Sequence, residues 1–342
     1  KAVCEELGMD LAHSIHDIDE ILPELMEGRD HIYYAIGKNE KFDVQVMDWV
    51  KMIRKKSNLD AHAPGEFLLL DNLLHELRLI KSPAEIKLMK HAAKISAEGH
   101  KRAMACCRPG ANEYELEAEL LYAFTRNGSR APAYASIVGS GDNTCILHYD
   151  TNTAEIKEGD LVLIDAGCEY EYYASDITRT FPANGKFNKE QKAIYEIVLK
   201  AQEAAINAVR PGATWDAPHK ESVKVITQGL VKLGLLKGRP AQLIRNEAYK
   251  DFYMHRVGHW LGMDVHDVGN YKINDNWRSL KPGMVTTIEP GIYISPDNTK
   301  VAKKWRGIGV RIEDDVLVTE TGHEVLSTGI PKTVQEIESF MT

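Results

Sequence analysis

Two aspartates, Asp165 and Asp176, stand in apolar runs at residues 161–164 and 172–180, on either side of a short acidic turn at 168–171. The runs are rich in β-branched and aromatic residues and short enough to be strands, so they read as two buried antiparallel strands. A bare carboxylate in such a place costs several kcal/mol or takes up a proton, and two facing each other also repel. A cation between them removes both costs, and a metal ion is one candidate. The other reading is an aspartate that caps a turn and a second one paired to Arg179. This stretch alone leaves both open.

Three more stretches carry residues of the same chemistry. Residues 254–267 contain His255, His259 and His266; residues 284–294 carry Glu289 at the end of a strand; residues 309–318 form another strand with Glu313 embedded in it. His255 and His259 are four apart, as on the face of a zinc-peptidase helix, but no Glu follows His255, and Gly258 and Gly262 weaken a helix. Those glycines suit a loop and strand where backbone comes close to a site. Singly, each histidine reads as an ordinary polar residue. Collectively, Asp165, Asp176, Glu289 and Glu313 all lie in or beside apolar strands, and four converging carboxylates cannot all stay ionised without cations. With one histidine they would hold two divalent metals about 3.5–4 Å apart, sharing bridging carboxylates. Four oxygen-bearing side chains to one imidazole favour Mn²⁺ over structural Zn²⁺. Such a site supplies hydroxide at neutral pH, which points to hydrolysis of an amide or ester.

The elements that must position these residues fall into a repeat. Arg108-Pro109-Gly110-Ala111 recurs as Arg210-Pro211-Gly212-Ala213, each copy between two helical stretches. Lys157-Glu158-Gly159 through Asp165-Ala166-Gly167 recurs, without a gap, as Lys281-Pro282-Gly283 through Glu289-Pro290-Gly291. Upstream of each carboxylate lies a histidine, in His148-Tyr149 and in His266-Asp267. Two αα-β halves related by duplication are expected, packed about a pseudo-two-fold axis that brings Asp165 opposite Glu289. Ser82, Pro83 and Glu85 form a capping box that opens a helix running to about Cys106, and a second helix fits 113–126, ended by Asn127-Gly128. Before that boundary, 44–56 reads as a helix and 66–70 as a strand leading into another helical segment. The fold class expected is α+β, with residues 1–80 the remnant of an N-terminal domain and 81–342 the catalytic domain.

The 342 residues, 44% hydrophobic and 27% charged, suit a soluble protein of two domains. A net charge of −8 argues against nucleic acid or an anionic membrane as the main partner. No run is long enough to be a transmembrane helix, and the start at Lys1, inside what reads as a helix, suggests an N-terminal piece is absent. Five cysteines, two of them adjacent and none in a CxxC pair, suit free thiols in the cytoplasm; Cys168 is a weak candidate ligand.

The set Asp165, Asp176, His259, Glu289 and Glu313 resembles the metal ligands of the pita-bread metallopeptidases, which include methionine aminopeptidase, prolidase and aminopeptidase P. The motifs are most similar to aminopeptidase P, in 137–141 with His148-Tyr149, 163–167, 176–181, 259–262 with 264–267, 288–291 and 311–315. The resemblance runs from about residue 78 to the end of the chain and more weakly through 1–77. It implies removal of the N-terminal residue from peptides with proline second, by a hydroxide bridging two metals, most naturally Mn²⁺ with Zn²⁺ or Co²⁺ as alternatives. Asp165 would chelate one metal, His259 and Glu289 the other, with Asp176 and Glu313 bridging. Glu289 would shuttle the proton, His148 and His266 would hold substrate and the developing oxyanion, His255 would lie near the substrate, and Tyr293 and Arg311 would orient ligands. A homo-oligomer, dimer or tetramer, is also implied. One departure is Arg256, where the family has glycine. The alternatives are a prolidase restricted to Xaa-Pro dipeptides and, remotely, an inactive peptide-binding module.

Overall fold

The computed structural model describes residues 2–56 and 61–342, which divide into two compact units, 1–77 and 78–342. In the first unit a parallel pair, His31–Tyr34 with Glu66–Leu69, accompanies the helices Ile18–Met26 and Glu40–Lys55. The longer helix starts four residues before the point expected from its apolar period, because Asn39 caps it by accepting a hydrogen bond from the Phe42 amide. Its buried stripe, Val46, Trp49, Val50 and Ile53, packs with Met26 and Tyr34 into a small core.

The second unit opens with the helix Pro83–Cys106, and Ser82 and Glu85 form both halves of the expected capping box. It packs on Glu113–Arg126 so closely that a Cβ on Gly99 would lie 2.8 Å from the Phe124 ring. The helices Lys189–Ala208 and Ala217–Lys232 form the corresponding pair further along the chain. Against these helices lie three antiparallel three-stranded sheets. The smallest orders Ala131–Pro132, Cys168–Tyr170 and Tyr173–Ala174. Of the two larger ones, one orders Ile137–Ser140, Leu161–Asp165 and Thr178–Pro182; the other orders Val285–Ile288, Asp314–Val318 and His323–Val325. A separate antiparallel pair joins Gly291–Ile294 to Ile308–Arg311.

The sequence repeat has a local structural counterpart. Gly110 N donates to Ile156 O and Ile156 N to Ala111 O, each at 2.8 Å; Gly212 N donates to Leu280 O at 2.9 Å and Leu280 N to Ala213 O at 2.8 Å. Both turns need a left-handed residue, with φ of +87° at Gly110 and +79° at Gly212, which glycine adopts without steric cost. Each turn is thereby tied to the segment that enters a carboxylate-bearing strand.

Two strands expected to be continuous are broken. The run 172–180 splits into Tyr173–Ala174 and Thr178–Pro182, and Asp176 lies in the gap. Its preceding acidic turn is narrower than expected, since Cys168–Tyr170 is itself a strand and the reversal falls at Glu171 and Tyr172, both with positive φ. The run 309–318 splits into Ile308–Arg311 and Asp314–Val318, and Glu313 lies in that gap. The reason is common to both: each strand changes partner there. Thr178–Pro182 pairs with Leu161–Asp165, Tyr173–Ala174 with Cys168–Tyr170, and the two halves of the second run pair with Gly291–Ile294 and Val285–Ile288. A residue between partners has its side chain free to turn away from the ladder. The two regions are stitched together where Glu313 N donates to Thr178 O at 3.1 Å and Thr180 Oγ1 donates to Arg311 O at 2.9 Å.

Candidate metal centre

Asp165 ends the strand Leu161–Asp165, and Glu289 follows the end of Val285–Ile288. With Asp176 and Glu313 in the two strand gaps and His259 on an irregular segment, all five side chains line one cavity of about 440 Å³. Ligand atoms of Asp176, His259 and Glu313 lie within 4.8 Å of one another. His259 Nε2 is 3.3 Å from Asp176 Oδ2 and 3.6 Å from Glu289 Oε1.

The His259 segment is not a helix. It runs alongside the strand Val285–Ile288, with the bridge Trp260 to Thr286 flanked by hydrogen bonds from Leu261 N to Val285 O at 3.1 Å and from Thr287 N to His259 O at 2.9 Å. A Cβ on Gly258 would fall 1.9 Å from Thr287 O. The glycine is therefore needed to bring the histidine backbone against the strand that carries Glu289. Thr287 Oγ1 accepts from His259 N at 3.1 Å, which fixes the approach. The His259 Nδ1 faces Trp260 O at 3.0 Å; a carbonyl only accepts, so Nδ1 carries hydrogen and Nε2 is turned toward the carboxylates. That is how a protein orients an imidazole as a ligand.

The electrostatics express a surplus of buried negative charge. Burial, against the pull of His259 and Arg311, lifts the Glu289 carboxyl to about 7. Burial and repulsion from Asp176, Glu289 and Asp165 push Glu313 well above the carboxylate range. Burial also raises Asp165, although Arg311 opposes it. Burial works against charge on His259, yet its hydrogen bond to Asp176 and the charge of Asp176 and Glu289 prevail and raise it to about 9. The cluster thus binds protons where it lacks positive charge. Four carboxylates and one imidazole, oriented inward, fit divalent cations in that place.

The other expected residues divide into two groups. His255, Tyr293 and Arg311 form a relay. Arg311 Nη1 donates to Tyr293 Oη at 3.0 Å and Nη2 to Asp165 Oδ2 at 2.7 Å; Tyr293 Oη lies 2.9 Å from His255 Nε2. Burial pushes His255 down to about 3, and its Nδ1 faces Arg256 O at 2.7 Å. The ring is neutral with hydrogen on Nδ1, so Tyr293 donates to Nε2. His148 and His266 line the cavity, the His266 ring 4.3 Å from that of His259. Arg256 lines it as well, its guanidinium 4.9 Å above the Trp277 ring.

The alternative partner for the first aspartates is not the one used: Arg179 pairs with Asp314 at 2.7 Å. Cys168 is buried, its thiol directed to Ala92 O, and takes no part. The sequence reading missed Tyr134, whose hydroxyl lies 2.7 Å from Asp165 Oδ1 and 2.5 Å from Asp176 Oδ1. It sits in Ala133-Tyr134-Ala135, with neither period nor repeat to mark it. Asp315 was also missed as an anchor: its carboxylate accepts from Asp176 N at 3.3 Å.

Comparison with known proteins agrees with this geometry. Residues 87–320 match metallopeptidase family M24. The chain is 48% identical to the Xaa-Pro aminopeptidase of Escherichia coli over 99% of its own length and 77% of that protein. It is 38% identical to human Xaa-Pro dipeptidase over 81% of its length and 64% of that protein. Among solved structures, Pseudomonas aeruginosa aminopeptidase PepP superposes with a TM-score of 0.94 at 61% identity, covering 99% of this chain and 77% of that one. A Glu-to-Ala variant of E. coli aminopeptidase P in complex with substrate gives 0.93 at 48% identity, over 100% and 77%. With this cluster of carboxylates and histidine and these relatives, the chain belongs to metallopeptidase family M24.

Proposed function

We propose that the protein is a two-metal Xaa-Pro aminopeptidase that removes the first residue of peptides whose second residue is proline. The observation that carries this reading is the convergence of Asp165, Asp176, His259, Glu289 and Glu313 on one cavity that His148, His255 and His266 also line. The similarity to Xaa-Pro aminopeptidases over nearly the whole chain supports the substrate class. Asp165 would hold one ion and His259 the other, Asp176 and Glu313 would lie between them, and Glu289 would both ligate and move a proton. Mn²⁺ suits this oxygen-rich set, and two such ions supply Lewis acidity and a water acidic enough to react at neutral pH. His148 and His266 would donate to the scissile carbonyl as charge develops on its oxygen. The relay from Arg311 through Tyr293 would hold His255 neutral with its Nδ1 hydrogen committed to the backbone.

The pseudo-two-fold, pita-bread arrangement of the two halves belongs to the same reading, supported by the paired Gly110 and Gly212 turns. So do the assignment of residues 81–342 as the catalytic domain and 1–80 as part of a separate N-terminal one, a homo-oligomeric assembly, and a cytoplasmic location in keeping with five free cysteines. No helix among the described residues is long and apolar enough to cross a membrane.

The test is hydrolysis of an Xaa-Pro dipeptide and an Xaa-Pro-Xaa tripeptide with Mn²⁺ and with chelator. Cleavage of the tripeptide, abolished by chelation, is expected. Cleavage confined to the dipeptide would make the protein a prolidase, and cleavage of neither by metal-loaded protein would remove the peptidase reading.

A further inference from the structure

His148 lies upstream of Asp165 and His266 upstream of Glu289, and each is followed by a residue of different chemistry, Tyr149 and Asp267. We propose that the residue after each histidine is its anchor, and that two buried groups outside the cavity, Glu113 and Lys81, are positioning residues that hold those anchors. The proposal rests on the peptidase reading of the cavity.

Glu113 is fully buried at the start of the helix Glu113–Arg126. Its Oε1 accepts from Ser140 N at 2.7 Å, Ser140 Oγ at 2.8 Å and Asn143 Nδ2 at 3.1 Å. Its Oε2 accepts from Tyr149 Oη at 2.7 Å and Ala154 N at 2.9 Å. All five donors belong to the stretch 140–154 that carries His148, and they lie on both sides of it. A buried carboxylate saturated by local donors fixes the segment that supplies them, because releasing any donor leaves a desolvated charge short of a partner. Asn152, with φ of +49°, closes the same stretch by accepting from Val138 N at 2.9 Å and donating to Ser136 O at 2.8 Å.

On the other side, Lys81 and Asp267 are each 1% exposed in their side chains and meet at 3.0 Å; Arg78 adds a contact to the second oxygen of Asp267 at 2.6 Å. The Lys81 amide donates to Gly283 O at 2.8 Å, which ties it to the entry of the Glu289 strand. A Cβ on Gly262 would lie 2.1 Å from Asp267 Oδ2 and 2.9 Å from Lys81 Cε, so the loop 262–267 closes onto this pair only with glycine there. Both histidines therefore sit one residue from a buried, charge-assisted fastening while their own rings remain free for substrate. Neither fastening touches the metal-ligand set.

The experiment compares Tyr149→Phe and Lys81→Met, alone and in His148→Ala and His266→Ala backgrounds respectively, using Mn²⁺-loaded protein and an Xaa-Pro-Xaa tripeptide. Each single change is expected to lower kcat about 10–100-fold, the usual effect of losing a group that orients a site residue. KM should change less than about threefold and bound manganese should stay constant. In the matching alanine background the second change should cost less than about twofold, since the histidine it positions is gone. Multiplicative losses, or an unaltered kcat in the singles, would overturn the proposal. Asp267→Asn, which keeps shape and removes charge, replaces Lys81→Met if the latter does not fold. Relaxation of ¹³C-labelled histidine rings supplies a measure independent of turnover: the rings of His148 and His266 should gain mobility in the respective variants. Unchanged ring order would sink the proposal even if the wild-type chain cleaved no Xaa-Pro peptide, whereas that failure of cleavage alone would count against the peptidase reading and not against the anchors.

Discussion

At the scale of residues, the four carboxylates are not interchangeable, because only Asp165 of the four is hydrogen-bonded to an arginine among the described residues. Asp165 accepts from Arg311 at 2.7 Å, whereas Glu313 has Thr178 Oγ1 at 2.6 Å, and burial and repulsion from Asp176, Glu289 and Asp165 outweigh the more distant pull of Arg311 on it. Asp165→Asn and Glu313→Gln should both abolish turnover, since each removes a ligand charge at little change in volume. Their effects on the metal-free chain should differ in sign. Glu313→Gln removes a carboxyl that the folded metal-free chain must keep protonated while the unfolded chain ionises it, and should melt at or above the wild-type temperature. Asp165→Asn strands the buried Arg311 charge and should melt lower, by the equivalent of about 1–3 kcal/mol. Calorimetry in chelator separates the two, and equal shifts would mean that the charge distribution is misread. Tyr134, which bridges Asp165 and Asp176, belongs to the same group: Tyr134→Phe should weaken metal binding about tenfold, read by titration of the metal-free chain, and unaltered affinity would make it a packing residue.

At the scale of elements, the site depends on strands that stop at the right place. Gly167 follows the Asp165 strand, and a Cβ there would sit 1.7 Å from Ser175 O, the residue before Asp176. Gly167→Ala must push apart the two backbones that carry the first two ligands. The expected result is a loss of at least 1–3 kcal/mol, the usual range for overpacking, together with lower manganese content at fixed added metal. Wild-type content in a destabilised protein would show that the two aspartates move together. The sequence made the elements around this point readable and the breaks unreadable. The capping box at Ser82 and Glu85 and the ends of the helix Glu113–Arg126 follow from local chemistry. So does the repeated Arg-Pro-Gly-Ala turn, whose glycines take the positive φ that the pattern requires. The gaps at Asp176 and Glu313 come from changes of pairing partner between distant strands, and apolar composition carries no record of partner choice. Tyr134 was invisible for a related reason, since its role arises only when Asp165 and Asp176 are already side by side.

At the scale of the whole molecule, acid stability sums groups of opposite sign. In the metal-free chain Glu289 holds its proton up to about 7 and His259 up to about 9. Both values exceed those of an unfolded chain, so these groups make folding more favourable as pH falls through that range. His100 acts the other way. It is fully buried beneath the site with Nε2 2.9 Å from Ala166 O, and burial outweighs that bond and pushes the ring from 6.5 down to about 4. Between those values the unfolded chain takes up a proton that the native one refuses, so this contribution is intact above 6.5 and is lost progressively down to 4. The total is at most about 3 kcal/mol at 1.36 kcal/mol per pH unit. His219, also driven to about 4 by burial first and the Arg256 charge second, adds in the same direction. His100→Gln keeps a donor for Ala166 O and cannot titrate. The difference between wild type and variant removes the terms from the metal cluster, which both proteins share. Denaturant unfolding in chelator at steps from pH 7 to pH 4 should therefore show the variant gaining on the wild type as pH falls, with most of the change between 6.5 and 4. A gap that stays constant over that interval would mean that His100 is charged in the folded protein, and that the core under the metal site is wetter than its packing indicates.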